Sequence, residues 1–474
     1  SHRMPSFRAL DVARWLALGA AVAVVAACHR GAMRDAGALS TARGADTTLL
    51  RRDITYLASD ALEGRLTGTP GNDTAAAYIA RRYALLRLDT LAGLRDRECI
   101  SMGALRQSIE SRTGTRVRLT DGQGAGCSSP YLQPFTATSV AAAHAGLPGA
   151  LPTENVVAAL RGRDPALRDE YVVIGAHFDH LGRSAFDALD PDAGTAIRPG
   201  ADDNASGTAA VMELARLLAR HPTRRSLLFV NFSGEELGLL GSQYFVDHPP
   251  VPLDHVIAML NFDMVGRMRN DKLIVYGVNS ARELPDIVDS ANVAPEFQLA
   301  TIGDGFGPSD QSSFYAKDVP VLYFFTDVHD DYHRATDVAS KIDVGDEARV
   351  VEYAERIVRE LADRPSRLTF VRAASPPPMS AGAGRDVWFG SVPDMGGTDV
   401  HGVRLAGVTP NSPADKAGAR KGDIVIDFGG TPVKDLYAYT DALYAHHPGD
   451  VVRVTVIRDG ATIVLTATLG KRGN

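Results

Sequence analysis

The chain has 474 residues, of which 45% are hydrophobic and 23% charged, a composition typical of a globular protein rather than a disordered or fibrous one. Its 50 basic and 57 acidic residues give a net charge of −7, which argues against nucleic acid as a partner. Three cysteines are too few for a disulfide scaffold or a cysteine-rich zinc fold. At about 150 residues per domain, the length predicts about three folding units, or one large domain and a smaller one.

The first 28 residues have the pattern of an export signal. Three arginines precede an apolar run over residues 15–27, which is too short to span a bilayer as a helix. Small residues end the run before Cys28, and this ending resembles the bacterial lipobox. We therefore expect cleavage before Cys28, a lipid on its sulfur and a tether over residues 29–47, with a plain secretory signal as the alternative. The lipid would be the only attachment to the membrane, and the protein would lie in the cell envelope. His29 after the cysteine favours the outer membrane, with the protein facing the periplasm or the cell surface.

Export changes the expected state of the other two cysteines. Cys99 and Cys127 form an even pair for an oxidising compartment, and both lie near a polar, glycine-rich stretch. We predict that one disulfide between them closes a surface insertion at about residues 95–130. Two separate thiols are the alternative.

The middle of the chain predicts an α/β fold. Short apolar runs at 155–158, 171–174, 227–232 and 319–325 read as strands, with a helical segment over 206–219 among them. Continuous apolar strands alternating with helices indicate a mixed, largely parallel central sheet that helices cover on both faces.

Two further regions complete the predicted organisation. Residues 49–86 have a helical pattern that a Gly/Pro break interrupts at 66–71, and Asp73 is expected to cap the second helix. Residues 373–385 are rich in proline and small residues and predict a linker, after which short strands and tight turns follow over 386–471.

Polar residues stand at the ends of the predicted strands, where open α/β sheets bind their ligands. His177 and Asp179 lie two apart on an extended segment and therefore project to the same side. The other candidates at such ends are Asp202, Asp203, Glu235, Glu236, Asp263 and His333. Each one alone is explained by a helix cap or a solvated turn. Together, two histidines with three of these carboxylates fit a two-metal site for zinc, with manganese or cobalt as possible substitutes.

These motifs resemble the M28 family of zinc aminopeptidases. The matching segments are 177–179, 200–207, 234–238, 261–266 and 331–337, preceded by 60–65 and 68–72. The similarity extends over residues 50–365 apart from the insertion, and it implies a metallopeptidase domain at 48–372.

The resemblance implies how the metals would be held. His177 and Asp263 would bind one zinc, and Glu236 and His333 would bind the other. Asp203, rather than the aspartate before it, would bridge both ions, and the peptide bond after it is expected to be cis.

The resemblance also implies the chemistry. A metal-bound hydroxide would attack the peptide carbonyl, with Glu235 as the general base. Asp179 would orient His177, and Tyr332 would donate a hydrogen bond to the carbonyl oxygen as it becomes an oxyanion.

One segment departs from the family pattern. Many relatives have Ser-Asp-His where this chain has Ser309, Asp310 and Gln311. No metal ligand is lost by this change. Asp310 is expected to face the cleft, and Gln311 to alter the substrate pocket or only the residues around it.

The C-terminal region resembles a bacterial PDZ domain over residues 386–471, most clearly at 388–394 and 412–425. A PDZ groove binds a peptide as an added strand while a loop grips the terminal carboxylate. Trp388, Phe389, Gly390 and Ser391 would form that loop. A packing module with an occluded groove is the alternative.

The leading prediction is an exported, lipid-anchored, dinuclear zinc exopeptidase that removes N-terminal residues from peptide substrates. A carboxypeptidase or a glutaminyl-cyclase-like enzyme of the same family is one alternative. A non-catalytic receptor that binds peptides is another, although such domains typically lose metal ligands and this chain has the full set.

Overall fold

The computed structural model describes residues 42–91, 129–139, 147–184, 188–372, 387–393, 401–409, 411–434, 438–439, 442–443 and 445–471. The predicted signal with Cys28, the disulfide partners Cys99 and Cys127, and the linker at 373–385 lie outside these residues. Within them, no helix combines the length and apolar character that crossing a membrane requires.

A central sheet organises the larger folding unit. Its strands in chain order are β1 (Leu132–Ala137), β2 (Leu151–Leu160), β3 (Tyr171–His177), β4 (Ser226–Phe232), β5 (Val256–Phe262), β6 (Lys272–Tyr276), β7 (Gln298–Ile302) and β8 (Val321–Phe325). They lie side by side in the order β1-β2-β4-β3-β5-β8-β6-β7. The pairs β3–β4, β3–β5, β5–β8 and β6–β7 are parallel, and the other three are antiparallel. The predicted mixed, largely parallel sheet is therefore confirmed.

Helices cover both faces of this sheet. They are α1 (Thr47–Leu57), α2 (Pro70–Leu85), α3 (Gly207–Ala219), α4 (Leu240–Asp247), α5 (Leu284–Ala291), α6 (Gln311–Tyr315) and α7 (Val344–Asp363). Alternate residues of β3 show the two-sided burial: Val172 and Ile174 belong to the core under α3 and α7, whereas Val173 packs with Phe245 of α4 and Phe314 of α6. Each such side chain contributes about 1.5–3 kcal/mol to folding when it leaves water.

The start of α2 differs from the prediction. Thr69 rather than Asp73 is the N-cap: its hydroxyl accepts from the backbone N–H of Asn72, and Pro70 occupies the first turn. Proline suits that position because its missing N–H would have no partner there. Asp73 lies within the first turn, where its carboxylate interacts favourably with the positive end of the helix dipole.

The C-terminal unit has its own strands and its own core. The strands are β9 (Val387–Trp388), β10 (Ser391–Pro393), β11 (Val403–Val408), β12 (Ile424–Phe428), β13 (Thr431–Pro432), β14 (Val451–Arg458), β15 (Ala461–Thr468) and β16 (Gly470–Lys471), with α8 at Pro413–Lys416. Asp459 and Gly460 join β14 to β15, and both have positive φ, as a two-residue hairpin turn requires. Phe389, Val425 and Phe428 are among the buried residues of this core.

Candidate metal centre

The candidate site lies at the carboxyl ends of three central strands of the sheet. His177 is the last residue of β3, Glu235 and Glu236 follow β4, and Asp263 follows β5. These three strands are mutually parallel neighbours, with His177 opposite Phe232 in the ladder. The carboxyl ends of the strands therefore deliver the polar side chains to one place, as the sequence pattern predicted.

Asp203 stands between two groups of ligand atoms. On one side, Nε2 of His177 is 3.4 Å from Oδ1 of Asp203 and 3.4 Å from Oδ1 of Asp263. On the other side, Nε2 of His333 is 3.1 Å from Oδ2 of Asp203 and 3.2 Å from Oε2 of Glu236. The structure thus brings the five predicted ligands together, with one oxygen of Asp203 in each group.

The residues fit a pair of zinc ions. Ligand atoms about 2.0–2.1 Å from a tetrahedral zinc lie about 3.3 Å from one another, close to the four distances above. Nε2 of His177 and Oδ1 of Asp263 are buried, and neither has a hydrogen-bond partner of suitable geometry in the part of the chain described. The ligand atoms of His177, Asp203 and Asp263 all lie within 4.8 Å of one another.

The electrostatics of the site also favour bound cations. Burial alone would lower the pKa of His177, but the carboxylates of Asp263 and Glu235 outweigh it and raise that pKa well above its usual value. Burial raises the pKa of Glu235 well above its usual range, and Glu236 and Asp263 add to the rise against the opposing charge of His177. The contributions of the carboxylates to both shifts reflect crowded negative charge, which a divalent cation would neutralise.

The turn that carries Asp203 is held by its neighbours. The peptide bond between Asp203 and Asn204 is cis, as predicted. Both oxygens of the Asp337 carboxylate accept hydrogen bonds from the backbone N–H of Asp202, at 3.1 and 3.0 Å, and one also accepts from that of Asp203 at 3.1 Å. The Asn204 amide donates to the carbonyl of Phe262 at 2.9 Å, which ties the turn to the end of β5. Sequence reasoning missed the role of Asp337, which lies 134 residues from Asp203.

Residues 155–358 match the model of peptidase family M28. The chain contains an M28 peptidase domain. Residues 380–469 match a PDZ domain model, so a PDZ domain follows the M28 domain.

Curated relatives match the M28 domain. A probable zinc metalloprotease of Leptosphaeria maculans is 29% identical over 220 residues, which cover 46% of this chain and 47% of that protein. Leucine aminopeptidase 2 of Trichophyton equinum is 32% identical over 183 residues, which cover 37% of this chain and 34% of that protein. The chain therefore spans between a third and a half of the length of these relatives.

A solved structure shares the fold. The Zn-dependent exopeptidase from Parabacteroides distasonis has a TM-score of 0.50 at 16% identity, covering 69% of this chain and 100% of that one. At this identity the likeness concerns the fold of the M28 domain alone.

Asp179 lies beside both His177 and the backbone of Glu235. Its carboxylate Oδ1 is 3.7 Å from Nδ1 of His177, too long for a hydrogen bond, whereas its backbone carbonyl is 3.3 Å from the same nitrogen. Oδ1 instead accepts from the backbone N–H of Glu235 at 3.2 Å, and Oδ2 accepts from the hydroxyl of Thr67 at 2.8 Å. Asp179 therefore holds the backbone of the predicted general base.

Replacing Thr67 with Val is expected to lower the free energy of unfolding by about 1–3 kcal/mol, because a buried carboxylate oxygen of Asp179 loses its donor. Urea unfolding at a fixed zinc concentration measures the change, since bound metal itself stabilises the folded state. Thr67→Ser keeps the hydroxyl and is the matched control. Equal stability of the Val and Ser variants would show that the hydrogen bond contributes nothing.

Tyr332 lies at the rim of the site. Its ring stacks on that of His333 with centroids 3.8 Å apart, and it is half-buried. The stacking holds the tyrosine beside a predicted ligand of the second zinc.

Asp310 and Gln311 are both fully buried at the start of α6. Neither carboxylate oxygen of Asp310 has a hydrogen-bond partner of suitable geometry among the described residues, and burial raises the pKa of this group to about 7. The charge of Asp310 contributes to the raised pKa of Glu235, which places it near the cleft. Gln311 accepts a hydrogen bond from the amide of Asn261 at 3.0 Å and so braces β5.

The predicted carboxylate loop of the PDZ domain runs along α8. The carbonyl of Phe389 accepts from the backbone N–H of Ala414 at 2.8 Å, and that of Gly390 accepts from Thr409 at 2.8 Å. Trp388 pairs with Gly470, and the hydroxyl of Ser391 contacts that of Tyr439. The four loop residues are therefore held by backbone hydrogen bonds to Thr409 and Ala414, by the pairing with β16, and by the contact with Tyr439.

Proposed function

We propose that the chain is a dinuclear zinc aminopeptidase that hydrolyses N-terminal residues from peptides. The observation that carries the proposal is the position of Asp203, whose two oxygens face two separate histidine–carboxylate groups. A carboxylate shared in this way suits a pair of ions rather than one. The aminopeptidase direction is supported by the relative named leucine aminopeptidase 2.

The zinc pair, when bound, would supply Lewis acidity that lowers the pKa of a water molecule and polarises the scissile carbonyl. The remaining steps belong to side chains of the chain itself. Glu235 is only 11% exposed, and its Oε2 is 4.0 Å from Nε2 of His177, so it stands beside the metal ligands without being needed as one. It would take the proton of the attacking water and return it to the leaving amine.

Two other side chains would support this chemistry. Tyr332 would donate a hydrogen bond to the carbonyl oxygen as negative charge develops there. Asp179 would keep Glu235 in register through the backbone hydrogen bond at 3.2 Å. A group held in advance costs no reorganisation at the moment of reaction.

Metal analysis together with a substrate pair tests the proposal. We expect about two zinc ions per chain and release of p-nitroaniline from leucyl-p-nitroanilide, but none from its N-acetyl derivative, which has no free amine. A chelator should abolish the release, and added zinc should restore it.

Other outcomes would identify the alternatives. Absence of both metal and turnover would indicate a peptide-binding receptor. Digestion of a peptide library followed by mass spectrometry distinguishes the enzymes: shortening from the C-terminus would indicate a carboxypeptidase, and loss of ammonia from N-terminal glutamine a cyclase.

A further inference from the structure

A third histidine, His180, lies in the metal centre and has no assigned role. It is fully buried, and its Nδ1 is 2.7 Å from Oε1 of Glu236 and 3.7 Å from Oδ2 of Asp203. Its ring meets that of His333 edge to face, with centroids 5.7 Å apart. The two histidines therefore approach Glu236 from different directions, one at each carboxylate oxygen.

The distances assign different tasks to the two rings. Ligands that share a tetrahedral zinc lie about 3.3 Å apart, and His333 is 3.1 and 3.2 Å from its two carboxylate neighbours. At 2.7 Å, His180 and Glu236 are instead at the length of a charge-assisted hydrogen bond. A carboxylate that binds a metal is ionised and can only accept, so Nδ1 of His180 must donate.

The ring of His180 sits in a fixed slot. Gly200 has a φ of +58°, and a Cβ added there would overlap the His180 ring and the carbonyl of Asp203. Behind the slot, the guanidinium of Arg65 is fully buried and donates to the carbonyls of Phe178 and Gly200 at 2.8 and 2.9 Å.

Arg65 also donates to the carbonyls of Leu57 and Pro199. Four carbonyls from three segments thus converge on one side chain, which joins the loop of His180 to that of Asp203. Arg65, the last residue of the segment 60–65 singled out in the sequence, therefore lies behind the His180 ring.

We propose that His180 is a positioning residue for the second metal: its Nδ1–H holds Oε1 of Glu236 so that Oε2 points to the site shared with Asp203 and His333. The inference rests on the proposed dinuclear centre. Outer partners of this kind set the orientation and basicity of a metal ligand.

Two substitutions separate the hydrogen bond from the bulk of the ring. Asparagine at position 180 places its amide nitrogen where Nδ1 lies, whereas glutamine places it near Nε2 and loses the contact. In a chelator-competition titration of the full-length chain with Zn²⁺, His180→Gln should weaken the second site about 10–100-fold and leave the first unchanged. His180→Asn should keep both affinities near those of the wild type.

The visible spectrum of the Co²⁺-loaded protein provides a second readout. The band of the second site should change in His180→Gln and be retained in His180→Asn. Circular dichroism verifies that each variant folds, and His180→Ser replaces the Gln variant if that one does not.

Two results would overturn the role of His180: unchanged second-site affinity in a folded Gln or Ser variant, or a weakened second site in a folded Asn variant. A wild-type chain that binds fewer than two zinc ions would instead contradict the proposed function. The wild-type titration therefore distinguishes the two failures.

Discussion

Replacing Glu235 with Gln should lower kcat by about 10²–10⁴-fold, the usual contribution of a general base, while two zinc ions remain bound. Glutamine keeps the shape of the side chain but cannot accept the proton of the attacking water. Because Glu235 is not among the five predicted ligands, the metal site should stay intact. Steady-state hydrolysis of leucyl-p-nitroanilide and zinc analysis of the same sample measure both effects.

Glu63→Gln is the matched control for this prediction. The Glu63 side chain is largely exposed and forms an ion pair with the exposed side chain of Arg183 at 3.5 Å. The same chemical change there should leave turnover unaltered. Near-wild-type rates in Glu235→Gln would show that another group acts as the base, and loss of zinc would show that Glu235 is a ligand.

Replacing Asp203 with Asn should remove both metals. The amide cannot offer two anionic oxygens, yet the side chain faces His177 at 3.4 Å and His333 at 3.1 Å. Outer-sphere partners are worth about 10–100-fold in metal affinity, so loss of a shared ligand should exceed that range at both sites. Turnover should disappear with the metals, and isothermal titration with Zn²⁺ follows both sites.

Asp202→Asn serves as the neighbouring control. The Asp202 carboxylate lies away from the ligand groups: Oδ1 accepts from the backbone N–H of Gly266 at 2.8 Å, and Oδ2 is 3.1 Å from Nε2 of His329. This variant should keep two zinc ions. If Asp202→Asn lost the metals and Asp203→Asn kept them, the bridging role would belong to the earlier aspartate.

The buried centre of the sheet could be predicted because β3, β4 and β5 are almost wholly buried. Such strands read as uninterrupted apolar runs, and polar residues directly after them stand out. The edge strands were missed for physical reasons. β1 contains Pro134, which is tolerated because β1, among the described strands, pairs with β2 alone. The five-residue strand β7 is mostly half-buried.

The supporting contacts of the metal centre could not be predicted from local pattern. His180 and Glu236 are 56 residues apart, and Thr67 is 112 residues from Asp179. Nothing in the spacing of such residues indicates that they meet. The Asp179 carboxylate shows the consequence: the sequence indicated a contact with His177 alone, whereas in the fold this carboxylate also accepts from Glu235 and Thr67.

The order of apolar runs and strand-end polar residues by itself determined the α/β class and the set of residues that gather at the ends of the strands. These features follow from chain-local periodicity and from the rule that parallel strands end together. Only the tertiary structure decided which oxygen of Asp203 faces which histidine, and which histidine contacts each oxygen of Glu236. Those choices depend on differences of a few tenths of an ångström between interatomic distances. The segments involved are far apart in the chain, so the packing of the whole fold sets these distances.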